Sequence, residues 1–180
     1  LLTLINDILD FSHIEAGQVI FQKREFNIYE LVKNVVRSLR QDHVGMNLMI
    51  DERIPKVVKG DQKRLLQILT NLIHNAVKFT ENGDVTIDVK LDSYDTYKTY
   101  IHFSIEDKGI GIPEDKINLI FESFSQVDNS LTRQYQGKGL GLSIVKHLLE
   151  LQDSAIHLES VVGRGSTFSF TLGFDNVTKK

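Results

Sequence analysis

Apolar residues recur along this chain with two periods, three to four residues and two, and the places where one gives way to the other outline its elements. Leu1, Leu4, Ile5, Ile8, Leu9 and Phe11 fall three and four apart and are followed by Glu15-Ala16-Gly17. That predicts the last turns of an amphipathic helix closed by glycine. A stripe of this length needs a cover: pairing with a second helix in a dimer is one reading, burial against the domain behind it the other. Val19 to Phe26 alternates as a strand does. Helical spacing returns at Ile28, Leu31, Val32, Val35, Val36 and Leu39, and Asn47 to Asp51 reads as a short strand. Beyond Pro55 and Gly60, Asp61 is placed to N-cap a long helix that carries Gln67 to Thr80.

Val85 to Leu91 and Tyr100 to Ile105 are two further strands, joined by the polar connection Asp92 to Thr99. Pro113, Glu114 and Asp115 suit the first turn of a short helix, with proline at its first position and acids at its positive end. Phe121-Glu122-Ser123-Phe124 would close it. A polar stretch, Ser125 to Gln136, leads to Gly137-Lys138-Gly139-Leu140-Gly141-Leu142, which opens an apolar helix through Leu151. Strands Ala155 to Ser160 and Thr167 to Leu172 flank the turn Gly163-Arg164-Gly165-Ser166, and a loose tail is expected from Asp175. Strands gathered in one sheet with the long helices on one side give a two-layer α/β sandwich of the α+β class. Because strands and helices do not alternate regularly, a doubly wound parallel sheet fits less well. The expected organisation is a helix end over residues 1–17, one domain over 18–174 and a tail over 175–180.

Composition narrows the classes. At 180 residues the chain can bury one full core. A formal net charge of −3 gives no reason to expect nucleic acid, and no run of Lys and Arg points to an anionic membrane surface. Without cysteine there is no disulfide, thiolate metal site or cysteine nucleophile. No apolar run nears the roughly 18 residues that would cross a bilayer. The first residues lie inside a periodic pattern without an initiator Met, so the chain reads as a piece of something longer.

Chemistry concentrates first on the long helix. At ideal geometry Arg64, Gln67, Asn71, Asn75 and Lys78 fall within an arc of about 80°, opposite Leu65, Leu66, Leu69, Leu72, Ile73, Ala76 and Val77. A carboxamide oxygen is a hard, uncharged ligand able to complete a Mg²⁺ shell made mostly of phosphate oxygens and water, and the lysine would answer phosphate charge. A solvated amphipathic face explains the same pattern equally well.

In Asp107-x-Gly109-x-Gly111 a carboxylate ends a buried strand, and two glycines let backbone approach a flat ring. Such an acid accepts from the exocyclic amine of adenine and repels the carbonyl of guanine. Taken alone, a strand-to-helix turn with an Asx cap accounts for it as well. Gly137-x-Gly139-x-Gly141 runs straight into a helix, where converging N–H groups and the helix start favour an anion. A dinucleotide fingerprint fails because a polar loop precedes these glycines, and a Walker loop fails because its spacing is missing. A glycine-rich hinge remains compatible with an anion cradle. The loop Ser125 to Gln136 is long for a compact domain; Phe121 and Phe124 would anchor its near end, with Arg133 and Lys138 beside a triphosphate tail as parts of a lid.

With these pieces in order the chain closely resembles the ATP-binding catalytic region of sensor histidine kinases, in the superfamily shared with gyrase, a heat-shock chaperone and mismatch-repair ATPases. The resemblance runs through Asn71-x-x-x-Asn75-Ala76-x-Lys78-Phe79, Asp107-x-Gly109-x-Gly111, Phe121-x-x-Phe124, Gly137-x-Gly139-Leu140-Gly141-Leu142 and Gly163-x-Gly165-Ser166-Thr167-Phe168. Leu4 to Gly17 is similar to the end of the dimerisation helix of hybrid kinases. The resemblance implies a Bergerat-type sandwich with a mixed sheet of about five strands backed by three main helices, plus an N-terminal helix stump. It further implies ATP and Mg²⁺ as cofactors, with Asn75 on the metal, Asn71 and Lys78 near the phosphates and Asp107 reading adenine. Gly109, Gly111 and Ile112 would border the base, and Phe121, Phe124, Gly137, Lys138, Gly139, Leu140, Gly141, Leu142 and Ser166 would complete the pocket, with Arg133 in the lid.

Hydrolytic relatives carry a glutamate four residues before the metal asparagine. Here that position is Asn71, which is no general base, so phosphoryl transfer to a side chain is expected over hydrolysis. The family's acceptor histidine is normally followed by an acid, whereas the six here precede Ile14, Val44, Asn75, Phe103, Leu148 and Leu158. The acceptor is therefore expected on an upstream helix outside this chain, which alone would not phosphorylate itself; His74 reads as a surface residue. Lys138, Gln136 and Ser166 stand where threonine, glycine and threonine are common in the family. The implied setting is a cytoplasmic, homodimeric histidine kinase with a receiver domain downstream. The alternative is an ATP-sensing module without phosphotransfer.

Overall fold

A computed structural model describes residues 12, 13, 16, 18–122 and 140–177. The apolar stripe Leu1 to Phe11 and the polar loop after Glu122 lie outside them. Where the expected N-terminal helix closes, Ala16 N–H donates to Ser12 O (3.1 Å) and Gln18 N–H to His13 O (2.9 Å).

Among the described residues seven strands form one sheet: β1 (Arg24–Asn27), β2 (Val44–Ile50), β3 (Val57–Gly60), β4 (Gly83–Tyr94), β5 (Lys98–Asp107), β6 (His157–Val161) and β7 (Gly165–Asp175). Their order is β1-β3-β7-β5-β4-β2, with β6 beside β7. The sheet is open and mixed, since β2 and β4 pair in parallel and the remaining pairs are antiparallel. Helices α1 (Ile28–Ser38), α2 (Gln62–Phe79) and α3 (Gly141–Glu150) make the second layer. Period-two alternation explains the sandwich. On β5, Ile101, Phe103 and Ile105 are fully buried while His102, Ser104 and Glu106 are half-buried on the other face. Phe103 stacks on Phe170 of β7 at 4.9 Å between centroids, and Phe174 meets Phe103 and Phe26 edge-on.

Seven strands replace the expected five or so because β1 and β3 are only four residues long and pair chiefly with each other. Val57–Gly60 carries too short a pattern to read, and of Val19 to Phe26 only the end becomes strand. The hairpin β4–β5 runs through the supposed polar connection to Tyr94 and Lys98, where Asp95 Oδ1 accepts from the N–H groups of Tyr97 and Lys98. Pro113 does open a short helix, but as the N-cap of a 3₁₀ turn, Glu114–Lys116, with Glu114 and Asp115 in it, and a second 3₁₀ turn, Leu119–Phe121, follows in place of one continuous helix. The tail also starts later than expected: β7 includes Asp175, and Asn176 bonds to Tyr97 O, Thr99 Oγ1 and Asp95 O.

Asp61 does cap α2, accepting from Arg64 N–H at 2.9 Å on Oδ1. Its Oδ2 accepts from Gln22 N–H at 2.7 Å, so one buried carboxylate ties two segments. Asp61→Ala is expected to cost about 1–2 kcal/mol in a urea unfolding titration, and Asp61→Asn to recover only part of that loss, because its one oxygen can keep the cap while its NH2 group then faces Gln22 N–H.

Candidate functional site

The polar arc of α2 does not face open water. Lys63, Leu66 and His74 are exposed and mark the solvent side, whereas Arg64, Gln67, Asn71, Asn75 and Lys78 are all half-buried. The helix therefore has three sectors: a core face, a solvent face and a sheltered polar flank. Leu66, grouped with the core by spacing, is 44% exposed at the border of the apolar arc. Along the flank, Arg64 Nη1 donates to Gln67 Oε1 at 2.8 Å. Lys78 Nζ lies 5.0 Å from the centroid of the Phe79 ring, and burial lowers its pKa.

Asp107 is the next inward position after Ile101, Phe103 and Ile105, so strand parity carries a carboxylate to the edge of the core. It is only 5% exposed. Gly109 N–H donates to its Oδ1 at 2.8 Å and Ser166 N–H to the same oxygen at 3.3 Å. The Asx-type turn is thus present, but it occupies Oδ1 alone; Oδ2 takes no hydrogen bond among the described residues. Burial raises the pKa of this group, and the two N–H donors oppose the shift only in part.

Close packing joins the pieces. A Cβ on Gly109 would lie 2.3 Å from Phe79 O, so the loop after β5 rests on the C-terminal end of α2. Gly111, with φ +70°, would drive a Cβ to 2.2 Å from Val161 O. Gly163 N–H donates to Ile110 O (2.8 Å) and Ile112 N–H to Ser160 Oγ (2.8 Å), fastening that loop to the β6–β7 turn. Gly141, first residue of α3, has Asn71 as its nearest neighbour, with a virtual Cβ 3.4 Å from the amide oxygen. Leu140 is buried, Leu142 half-buried, and Phe121 meets Phe168 edge-on at 6.4 Å.

Three separate stretches thus converge: the α2 flank at Asn71, the Asp107 loop at the end of α2, and the start of α3. Phe124, Arg133, Gly137, Lys138 and Gly139 lie outside the described residues. Among the described residues no group of three or more Asp, Glu or His could cage a bare cation. The neutral amides of Asn71 and Asn75 suit a divalent cation that brings anionic ligands with it. Sequence reading missed Ser160, although its place opposite Ser166 follows once the Gly163-Arg164-Gly165 turn is taken as a hairpin.

Residues 60–176 match a family model described as histidine kinase-, DNA gyrase B-, and HSP90-like ATPase. The chain is 44% identical over 186 residues to hybrid signal transduction histidine kinase B of Dictyostelium discoideum, an alignment covering 100% of this chain and 9% of that protein. It is 40% identical over 179 residues to signal transduction histidine-protein kinase BarA of Escherichia coli (strain K12), covering 97% and 20% respectively. The chain therefore spans a small part of the curated relatives it matches. Full-length ShkA in complex with AMPPNP superposes with a TM-score of 0.83 at 30% identity, over 99% of this chain and 36% of that one. The nucleotide-free catalytic domain of histidine kinase ThkA gives 0.64 at 28% identity, over 86% and 95%.

Asp107→Asn tests the charge at the site. Burial raises the folded-state pKa, so the parent gains stability from Asp107 only below its unfolded value of about 3.9 and loses it as pH rises through the folded value. Asparagine keeps an oxygen for both N–H donors without the buried charge. The variant is expected to melt at a higher temperature than the parent at pH 7, by a margin that narrows as pH falls toward 4.

Proposed function

Because the chain belongs to the histidine kinase-, DNA gyrase B- and HSP90-like ATPase family, we propose that it binds the magnesium complex of ATP along the flank of α2 and passes the γ-phosphoryl group to a histidine on an upstream helix of its parent protein. The observation that carries this reading is the convergence of the half-buried amides of α2, the carboxylate of Asp107 and the start of α3 on one side of the fold. Asp107 offers Oδ2 to the exocyclic amine of adenine while the backbone at Gly109, Gly111 and Ile112 borders the ring. A guanine carbonyl would meet the same oxygen without a proton to share.

The amide oxygen of Asn75 would hold magnesium, whose part is to neutralise charge on the phosphates. Asn71 and Lys78 lie one turn to either side on the same flank and orient the phosphate tail; burial of Lys78 raises the value of an anion beside it. The start of α3, at Gly141 and Leu142, adds its positive dipole end. Gly137, Lys138, Gly139 and Arg133 belong to the same reading as phosphate cradle and lid, with Phe121 and Phe124 at the lid's base and Ser166 beside Asp107. Transfer breaks the bond from the β,γ-bridging oxygen to the γ-phosphorus and forms a phosphorus–nitrogen bond to a neutral imidazole, whose ring proton goes to solvent or a nearby base. With an amide rather than a carboxylate at Asn71, water on this flank finds no general base there, which favours transfer over hydrolysis. The acceptor helix, a homodimeric parent and a downstream receiver domain are parts of the same proposal, as is a cytoplasmic setting. No described helix is long and apolar enough to cross a membrane.

Calorimetry with a non-hydrolysable ATP analogue, with and without magnesium, measures the binding step. Asn75→Ala should lose the magnesium-dependent part of the affinity, at least roughly tenfold. Adding the parent's histidine-bearing helices and labelled ATP should then yield an acid-labile, base-stable phosphoprotein. No label under conditions where the parent labels would reject the transfer step for this chain, and tight nucleotide binding by a full-length protein that never labels would leave an ATP-sensing module in place of a kinase.

A further inference from the structure

We propose that Ser160 is a positioning residue for base recognition: its hydroxyl clamps the loop Gly109 to Ile112 and sets the hydrogen-bonding sense of Ser166 beside Asp107. The inference rests on Asp107 as the selector of adenine and deepens that reading. Strand pairing puts Asp107 opposite Ser166, and Ser166 opposite Ser160, so the three residues form one row across β5, β7 and β6. Ser166 N–H reaches Asp107 Oδ1 at 3.3 Å, and the hydroxyls of Ser166 and Ser160 are 2.9 Å apart. Ser160 Oγ also accepts from Ile112 N–H at 2.8 Å and donates to Gly165 O at 3.1 Å.

Counting protons decides what this row offers a ligand. A serine hydroxyl has one hydrogen and two lone pairs. With its hydrogen on Gly165 O, Ser160 accepts from Ile112 N–H on one lone pair and from the Ser166 hydroxyl on the other. Ser166, 6% exposed, has then committed its own hydrogen and presents lone pairs only. Asp107 Oδ2 and Ser166 Oγ together make an acceptor-only edge, which suits an amine or a donating water and offers nothing to a carbonyl. Removing the Ser160 hydroxyl undoes two things at once. Ile112 N–H loses its partner on a loop that is otherwise tied to the β6–β7 turn by Gly163 N–H on Ile110 O. The Ser166 hydroxyl is also released to donate, which a guanine carbonyl can use.

The test compares the 180-residue chain with its Ser160→Ala, Ser160→Thr and Asp107→Ala variants, with ATP and GTP competing against a fluorescent ATP analogue and thermal melting as the check on folding. Ser160→Ala should weaken ATP by about tenfold and narrow the preference for ATP over GTP, while Ser160→Thr retains both parent values. A merely structural role would weaken both nucleotides alike and leave the preference unchanged; that result overturns the assignment. So does GTP competing no better against Ser160→Ala than against the parent, or Ser160→Thr behaving like Ser160→Ala. Unaltered ATP binding by Asp107→Ala would mean instead that the base reading itself is wrong, and the role of Ser160 falls with it.

Discussion

A buried carboxylate must be held by hydrogen bonds or its burial becomes too costly, and the architecture around Asp107 follows from that requirement. β5 and β7 pair without interruption from Lys98↔Asp175 to Asp107↔Ser166, so the register of ten residue pairs ends with Ser166 N–H on the Asp107 side chain. A slip of one residue would turn Asp107 to the half-buried polar face and expose Ile101, Phe103 and Ile105. The aromatic stack of Phe103 on Phe170, in the middle of that pairing, therefore holds the acid in place from a distance.

Around this point the backbone comes closer to itself than side chains would permit. Gly109 lies against Phe79 O, and Gly165, with φ +109°, would put a Cβ 1.9 Å from Asp107 O. The first approach is what relates Asp107 to the polar flank of α2, because the loop after β5 and the last turn of that helix cannot move independently. The second fixes the β6–β7 turn against the same loop. Rigid elements thus supply the geometry, and short glycine loops supply the surface that a ligand would touch.

The organisation separates stability from chemistry along α2. Leu65, Ile68, Leu69, Leu72, Ile73, Ala76 and Val77 are buried and anchor the helix over the sheet. Asn71, Asn75 and Lys78 contribute nothing to that core, yet they stand on the half-sheltered sector where Gly141 of α3 adjoins Asn71. Asp107 carries the opposite balance, since its charge opposes folding at neutral pH while it gives the loop its acceptor.

Periodicity alone determined the three helices, the N-cap at Asp61, and the alternation that buries Ile101, Phe103 and Ile105, because those depend on neighbours a few residues away. Motif order alone also brought out Asn71, Asn75, Lys78, Asp107 and the glycines around them as candidates. Periodicity could not decide whether the amide arc of α2 met open water, since a helical wheel is the same for an exposed and a sheltered face; the elements packed beside it, α3 at Asn71 among them, leave it half-buried. Val57–Gly60 and Asn176 carry no local pattern that marks them as ordered, because a four-residue strand and a polar tail gain their order from distant partners, β1 in one case and the β4–β5 hairpin tip in the other. Ser160 is the fullest example. Its residue type is unremarkable on a short strand, and only the pairing of β6 with β7, and of β7 with β5, brings its hydroxyl into line with Ser166 and Asp107.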